Sequence, residues 1–87
     1  MAFDAVHNYY EKLVFDEIAR FYDDGTLDED SIEDLACIAL NQIPPRYIRH
    51  HVDMCFFMSE QDRLQMVDDV KNAVAFAYEK INTKNLA

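Results

Sequence analysis

Residues 34–48 read D-L-A-C-I-A-L-N-Q-I-P-P-R-Y-I, an apolar helical run that meets a double proline and continues as a basic, aromatic segment. Leu35, Ala36, Ala39, Leu40 and Ile43 recur at helical spacing and predict one buried face. Pro44 has no N–H and disfavours helical backbone at Ile43, so the helix is expected to end by about Gln42. That puts Asn41 in the last turn, where its amide can bond a free carbonyl or a ligand. Arg46, Tyr47, Arg49, His50 and His51 come directly after the turn. Whatever fold forms must therefore hold a helix end, a rigid corner and a cationic strand of chain in one place.

The flanking sequence supplies the helices that surround this corner. In residues 3–22, Phe3, Val6, Tyr10, Leu13, Val14, Ile18, Phe21 and Tyr22 recur at three- and four-residue steps and predict a helix. Asp23-Asp24-Gly25 ends it, Gly25 being the only glycine in the chain. The helix leading into the double proline is predicted over 31–42, with Ser31-x-x-Asp34 as a capping box. Residues 46–58 are read as an extended connection, with the apolar run Met54 to Met58 open to pairing with its copy in a second subunit. A last helix is predicted over 60–82, started by Ser59-x-x-Asp62, with Leu64, Val67, Val70, Val74, Ala77 and Ile81 on one stripe and Met66, Ala73 and Phe76 widening it. Residues 82–87 are expected to be a frayed polar tail. Met54, Met58 and Met66 read as core, and His7 as a surface residue of the first helix. The expected architecture is all-α: one small domain, 1–87, of three main helices joined by an extended connection.

Eighty-seven residues bury only about 60% of the surface of the unfolded chain. Yet 51% of the residues are hydrophobic, more than a small monomer core requires. An intertwined homodimer is the expected solution. The net charge of −9 argues against nucleic acid and against anionic membranes as partners, since both recruit cationic side chains. No apolar run approaches the roughly 18 residues of a membrane span. Cys37 and Cys55 lie in apolar sequence, form no C-x-x-C pair and follow no signal peptide, which predicts a cytoplasmic chain with reduced thiols.

No phosphate loop, nucleophile elbow or paired metal-ligand motif is present, so catalysis is not expected. Residues 23–34 hold seven acids in twelve positions, but lack the D-x-D-x-D-G spacing of a Ca²⁺ loop. They read as a solvated loop and a charged first turn. Against this, residues 35–52 contain no acid, while Arg46, Arg49, His50 and His51 cluster there. Guanidinium forks suit phosphates, and Tyr or Arg planes stack on bases. The plainer readings stand beside this one. Asn41 caps its helix, Tyr47 is a core residue, and the two arginines pair with the acids of 23–34, for about 0–1 kcal/mol each if exposed.

The stretch resembles the core signature of the late competence development protein family, ComFB, of the form D-I-x-A-x-A-L-N-x-L-P-P-x-Y-V. Asp34, Ala39, Leu40, Asn41, Pro44, Pro45 and Tyr47 match it, and Asn8, Glu11 and Val14 match an N-terminal N-x-x-E-x-x-V. The resemblance covers about residues 6–82. Many relatives carry a C-x-C-x-x-C cluster before the signature helix; Thr26, Asp28 and Ser31 stand near those positions here, so no zinc is expected. Only His7, His50, His51 and Cys55 remain as candidate ligands, and no metal or cofactor is expected. The resemblance implies a small receptor for a cyclic dinucleotide, c-di-GMP ahead of c-di-AMP, acting in competence or type IV pilus control through a regulatory or pilus-associated partner. Its implied site is Asn41, Arg46 and Tyr47; Arg49, His50 and Arg20 are added on charge and chemistry alone. A protein–protein adaptor without a ligand is the alternative.

Overall fold

The computed structural model describes residues 3–50 and 58–86, with the side chains of 84–86 left aside. Three helices carry the fold: α1 (Tyr9–Phe21), α2 (Glu29–Asn41) and α3 (Glu60–Leu86). Two short strands, β1 (His7–Asn8) and β2 (Tyr47–Ile48), pair antiparallel with His7 opposite Ile48 and Asn8 opposite Tyr47. Both α1 and α2 pack on α3 and on each other. Among the described residues the regular structure is all helical apart from this two-residue ladder.

Helix α1 begins six residues later than its apolar periodicity predicts. Asn8 takes the N-cap with extended backbone, its side chain accepting from the Tyr10 N–H at 3.2 Å, while Glu11 reaches back to the Asn8 N–H at 3.3 Å. This reciprocal box satisfies free donors of the first turn. Residues 3–6 instead make a turn closed by the Val6 N–H on the Phe3 carbonyl, so Phe3 and Val6 stay exposed. His7 sits in β1, ahead of the helix. At the other end the Tyr22 and Asp23 N–H groups both return to the Ile18 carbonyl, and Gly25 at φ 92° turns the chain in the left-handed region that favours glycine.

Helix α2, by contrast, starts ahead of its expected box. Asp28, not Ser31, is the N-cap, and its carboxylate accepts from the Ser31 N–H at 2.8 Å. Asp24 accepts from both the N–H and the hydroxyl of Thr26, at 3.1 and 2.7 Å. Helix α3 continues through Leu86, four residues past the expected limit at 82, so the predicted polar tail is helical. The Met54–Met58 run lies outside the described residues except for Met58, which packs partly buried against the core.

Tyr10, Val14 and Ile18 of α1, Leu35 and Ala39 of α2, and Met66, Val70, Ala73, Val74, Ala77 and Ile81 of α3 form one buried cluster, closed by Ile43 just past α2. Tyr22 and Tyr78 add a tilted ring pair, centroids 5.0 Å apart, outside it. The helical stripes read from sequence fail at their ends, where Phe21 and Leu64 are exposed, and at the margin of the α3 stripe, where mid-helix Phe76 is exposed beside buried Ala73 and Ala77. Cys37, expected in apolar surroundings, is exposed.

Because one side chain starts α1 and also accepts from the Arg46 N–H after the prolines, Asn8→Ala is expected to cost about 1–3 kcal/mol, the sum of a lost cap and a lost hydrogen bond. Asn8→Asp keeps the acceptor and should recover most of it. Urea denaturation of the two variants checks this; equal loss in both would deny the acceptor its role.

Candidate ligand-binding site

The double proline and Asn8 build the corner together. With no N–H at Pro44 or Pro45, α2 stops at Asn41, and the Gln42 N–H closes it on the Ala39 and Leu40 carbonyls. Ile43 turns into the core and leaves the prolines exposed. The chain is then caught by α1. The Arg46 N–H donates to Asn8 Oδ1 at 2.9 Å, and the Tyr9 N–H donates to the Arg46 carbonyl at 2.7 Å. The ladder follows at once, and the alternation of a strand turns Ile48 inward and Tyr47 out.

Tyr47 is 66% exposed, so it is not a core residue. With Asn8, Asn41, Gln42 and Pro44–Pro45 it lines an open pocket of about 510 Å³. Asn41 donates from Nδ2 to the Cys37 carbonyl at 3.0 Å, the capping role foreseen for it, and lies 3.8 Å from Cys37 Sγ. Its Oδ1 makes no hydrogen bond among the described residues. Arg46, Arg49 and His50 are exposed beyond this wall. Lys12 and Arg63 are engaged by acids of their own helices, Asp16 and Glu60. Neither Arg46 nor Arg49 forms an ion pair among the described residues, with the acids of 23–34 or any other.

The structure thus brings Asn41, Arg46 and Tyr47 to one corner, with Arg49 and His50 just past β2. Arg20 is not brought there. It lies twelve residues beyond Asn8, roughly 18 Å up α1, in a separate pocket with Asp16 and Glu17. His51 and Cys55 fall outside the described residues. No three His, Cys, Asp or Glu side chains converge on a common point among those described.

Two residues of the corner were not singled out from sequence. Asn8 belonged to a pattern, and its spacing to Glu11 is the readable signal of a capping box. Asp69 carries no such signal. It lies on α3 and, with Gln42, Pro44, Asn72 and Phe76, lines a second pocket of about 360 Å³ that shares the Gln42–Pro44 wall with the first. Burial pushes the Tyr10 phenol above its ordinary value, the charge of Asp69 adds to this, and Arg46 opposes it. Asp69 and Arg46 therefore both act on the ring beneath the corner.

A small three-helix domain that presents an aromatic–amide corner on a pinned backbone is the class these features define. The sequence model of the late competence development protein, ComFB, matches residues 7–85, and the chain belongs to that family. No curated protein and no solved structure matches it. Among the described residues no helix is long and apolar enough to cross a membrane.

Burial favours the neutral phenol, so the contribution of Tyr10 to stability is complete below the ordinary value of 10.0 and is lost as pH rises through the higher folded value. Arg46→Ala removes a charge that favours the phenolate and should raise the Tyr10 value further. Titration of ¹³C-tyrosine resonances reads this directly; an unmoved Tyr10 would put the guanidinium elsewhere.

Proposed function

We propose that this chain is a non-enzymatic receptor for a cyclic dinucleotide, c-di-GMP ahead of c-di-AMP, acting in the cytoplasm as a homodimer. It relays occupancy to a regulatory or pilus-associated partner in competence or motility control. Membership of the late competence development family supports the competence setting. The observation that carries the ligand reading is the contrast at Arg46 and Tyr47: their backbone is tied to Asn8 and Tyr9, while both side chains project uncommitted into solvent. A backbone already ordered removes part of the entropic cost of binding. Nearby, Asn41 Oδ1 supplies an acceptor, Arg46 and Arg49 supply guanidinium donors for phosphate, and Tyr47 a ring for stacking. A pocket of about 510 Å³ falls in the range that small ligands occupy. Two such corners about a two-fold axis match a ligand with two phosphates and two bases.

A second reading rests on a different face. Phe15, Ala19, Ile32 and Ala36 line an open, apolar groove between α1 and α2, with Phe15 49% exposed. A ligand-free adaptor would seat its partner there.

Calorimetric titration of c-di-GMP and c-di-AMP distinguishes the two. Binding is expected with c-di-GMP, and Arg46→Ala and Arg49→Ala should each weaken it about 10- to 100-fold, the worth of a charge-assisted hydrogen bond. No heat up to about 100 µM, where binding is worth only ~5.5 kcal/mol, removes the receptor reading. A protein partner held equally by Arg46→Ala/Arg49→Ala in nucleotide-free buffer and lost by Phe15→Asp establishes the adaptor.

A further inference from the structure

The two pockets on either side of Gln42–Pro44 differ in one chemical respect. The first is flanked by cations; the second contains a carboxylate. Asp69 is half-buried, accepts at Oδ1 from the Gln65 side-chain amide at 3.1 Å, and makes no hydrogen bond at Oδ2 among the described residues. Phe76 stands in the same pocket with a 39% exposed ring, Lys80 Nζ 5.2 Å from its centroid. A carboxylate repels a phosphate diester unless the ligand brings hydrogen-bond donors to it, because ionised Asp only accepts.

A nucleobase edge is the part of a cyclic dinucleotide able to do so. Guanine presents two adjacent donors, N1–H and N2–H₂, which suit the two oxygens of one carboxylate. Adenine presents N6–H₂ beside the N1 acceptor, and that acceptor would face Asp69 with like charge. Resting on the receptor reading above, we propose that Asp69 is the residue that selects guanine: it accepts from the guanine N1–H and N2–H₂ while the ligand lies across the Gln42–Pro44 wall and the Phe76 ring covers the base.

The test is titration of c-di-GMP and c-di-AMP into the full chain and into Asp69→Asn, with melting curves on both. The substitution is isosteric and sits at a partly exposed site, so the melting temperature should hold. The amide offers one acceptor and one donor, the pattern adenine complements. Binding of c-di-GMP should fall about tenfold or more, the worth of a hydrogen bond to a charged group, while c-di-AMP binds as well as before or more tightly. If Asp69 merely repels phosphate, removing its charge tightens both ligands together, and the proposal is overturned. An unchanged ratio of the two affinities overturns it equally, with the receptor reading intact. Failure of the unsubstituted chain to bind either nucleotide removes both readings at once.

Discussion

A single side-chain oxygen ties the two informative pieces of this sequence together. Asn8 Oδ1 accepts from the Tyr10 N–H within its own helix and from the Arg46 N–H thirty-eight residues away. The first bond starts α1; the second sets where the chain emerges from the double proline. Neither bond does the other's work. Without the cap, α1 loses its defined first turn; without the anchor, the segment after Pro45 keeps the two-residue ladder and the Tyr9 N–H bond but loses the bond from its own N–H at Arg46. The Tyr9 N–H on the Arg46 carbonyl closes the arrangement, so the backbone of Arg46 is held through both its donor and its acceptor. The apolar core below can then be ordinary. Small Ala39 and Ala77 are fully covered within it, and Ile43 plugs its top directly beneath the corner.

What sequence could reveal follows from where the physical cause of each feature lies. The end of α2 was legible because its cause, the missing N–H of Pro44, is intrinsic to one residue. The centres of the helical stripes were legible because Val14, Leu35, Val74 and their neighbours repeat with the period of the helix. The start of α1 departs from the periodicity because Phe3 and Val6 continue that period past the point where a cap overrides it. The start of α2 slipped because the segment offers several rival capping groups, and the carboxylate of Asp28 outcompetes the hydroxyl of Ser31. At the site, Asn41, Arg46 and Tyr47 were legible as neighbours in sequence. Arg20 shares only its charge with them, and charge does not bring it from the far end of α1 to the corner. Asp69 reaches the corner only through the packing of α3, and no local pattern announces that.

The acids of residues 23–34 have a structural use that net charge conceals. Thr26, Asp28 and Ser31 stand near the positions where the family resemblance places cysteines in many relatives, and here all three are joined by hydrogen bonds to carboxylates or act through one. Asp24 closes on Thr26, and Asp28 closes on Ser31. Bonds from the Thr26 hydroxyl and N–H hold the Asp24 carboxyl below its usual range, and bonds from Ser31 do the same for Asp28. A carboxylate bonded in this way stabilises the folded chain at any pH above its ordinary unfolded value, and that contribution drains away as pH falls through the lower folded value. Spent on the turn between α1 and α2, these acids do not neutralise the arginines at the other end of α2. The separation follows from helix geometry: α2 is 13 residues long, roughly 20 Å at ~1.5 Å per residue, beyond the Debye length of about 8 Å at physiological salt. A strongly acidic chain can therefore keep a cationic corner, because one rigid helix holds Asp24 and Asp28 more than two screening lengths from the post-proline arginines, and the carboxylate that does stand near them is Asp69 of α3.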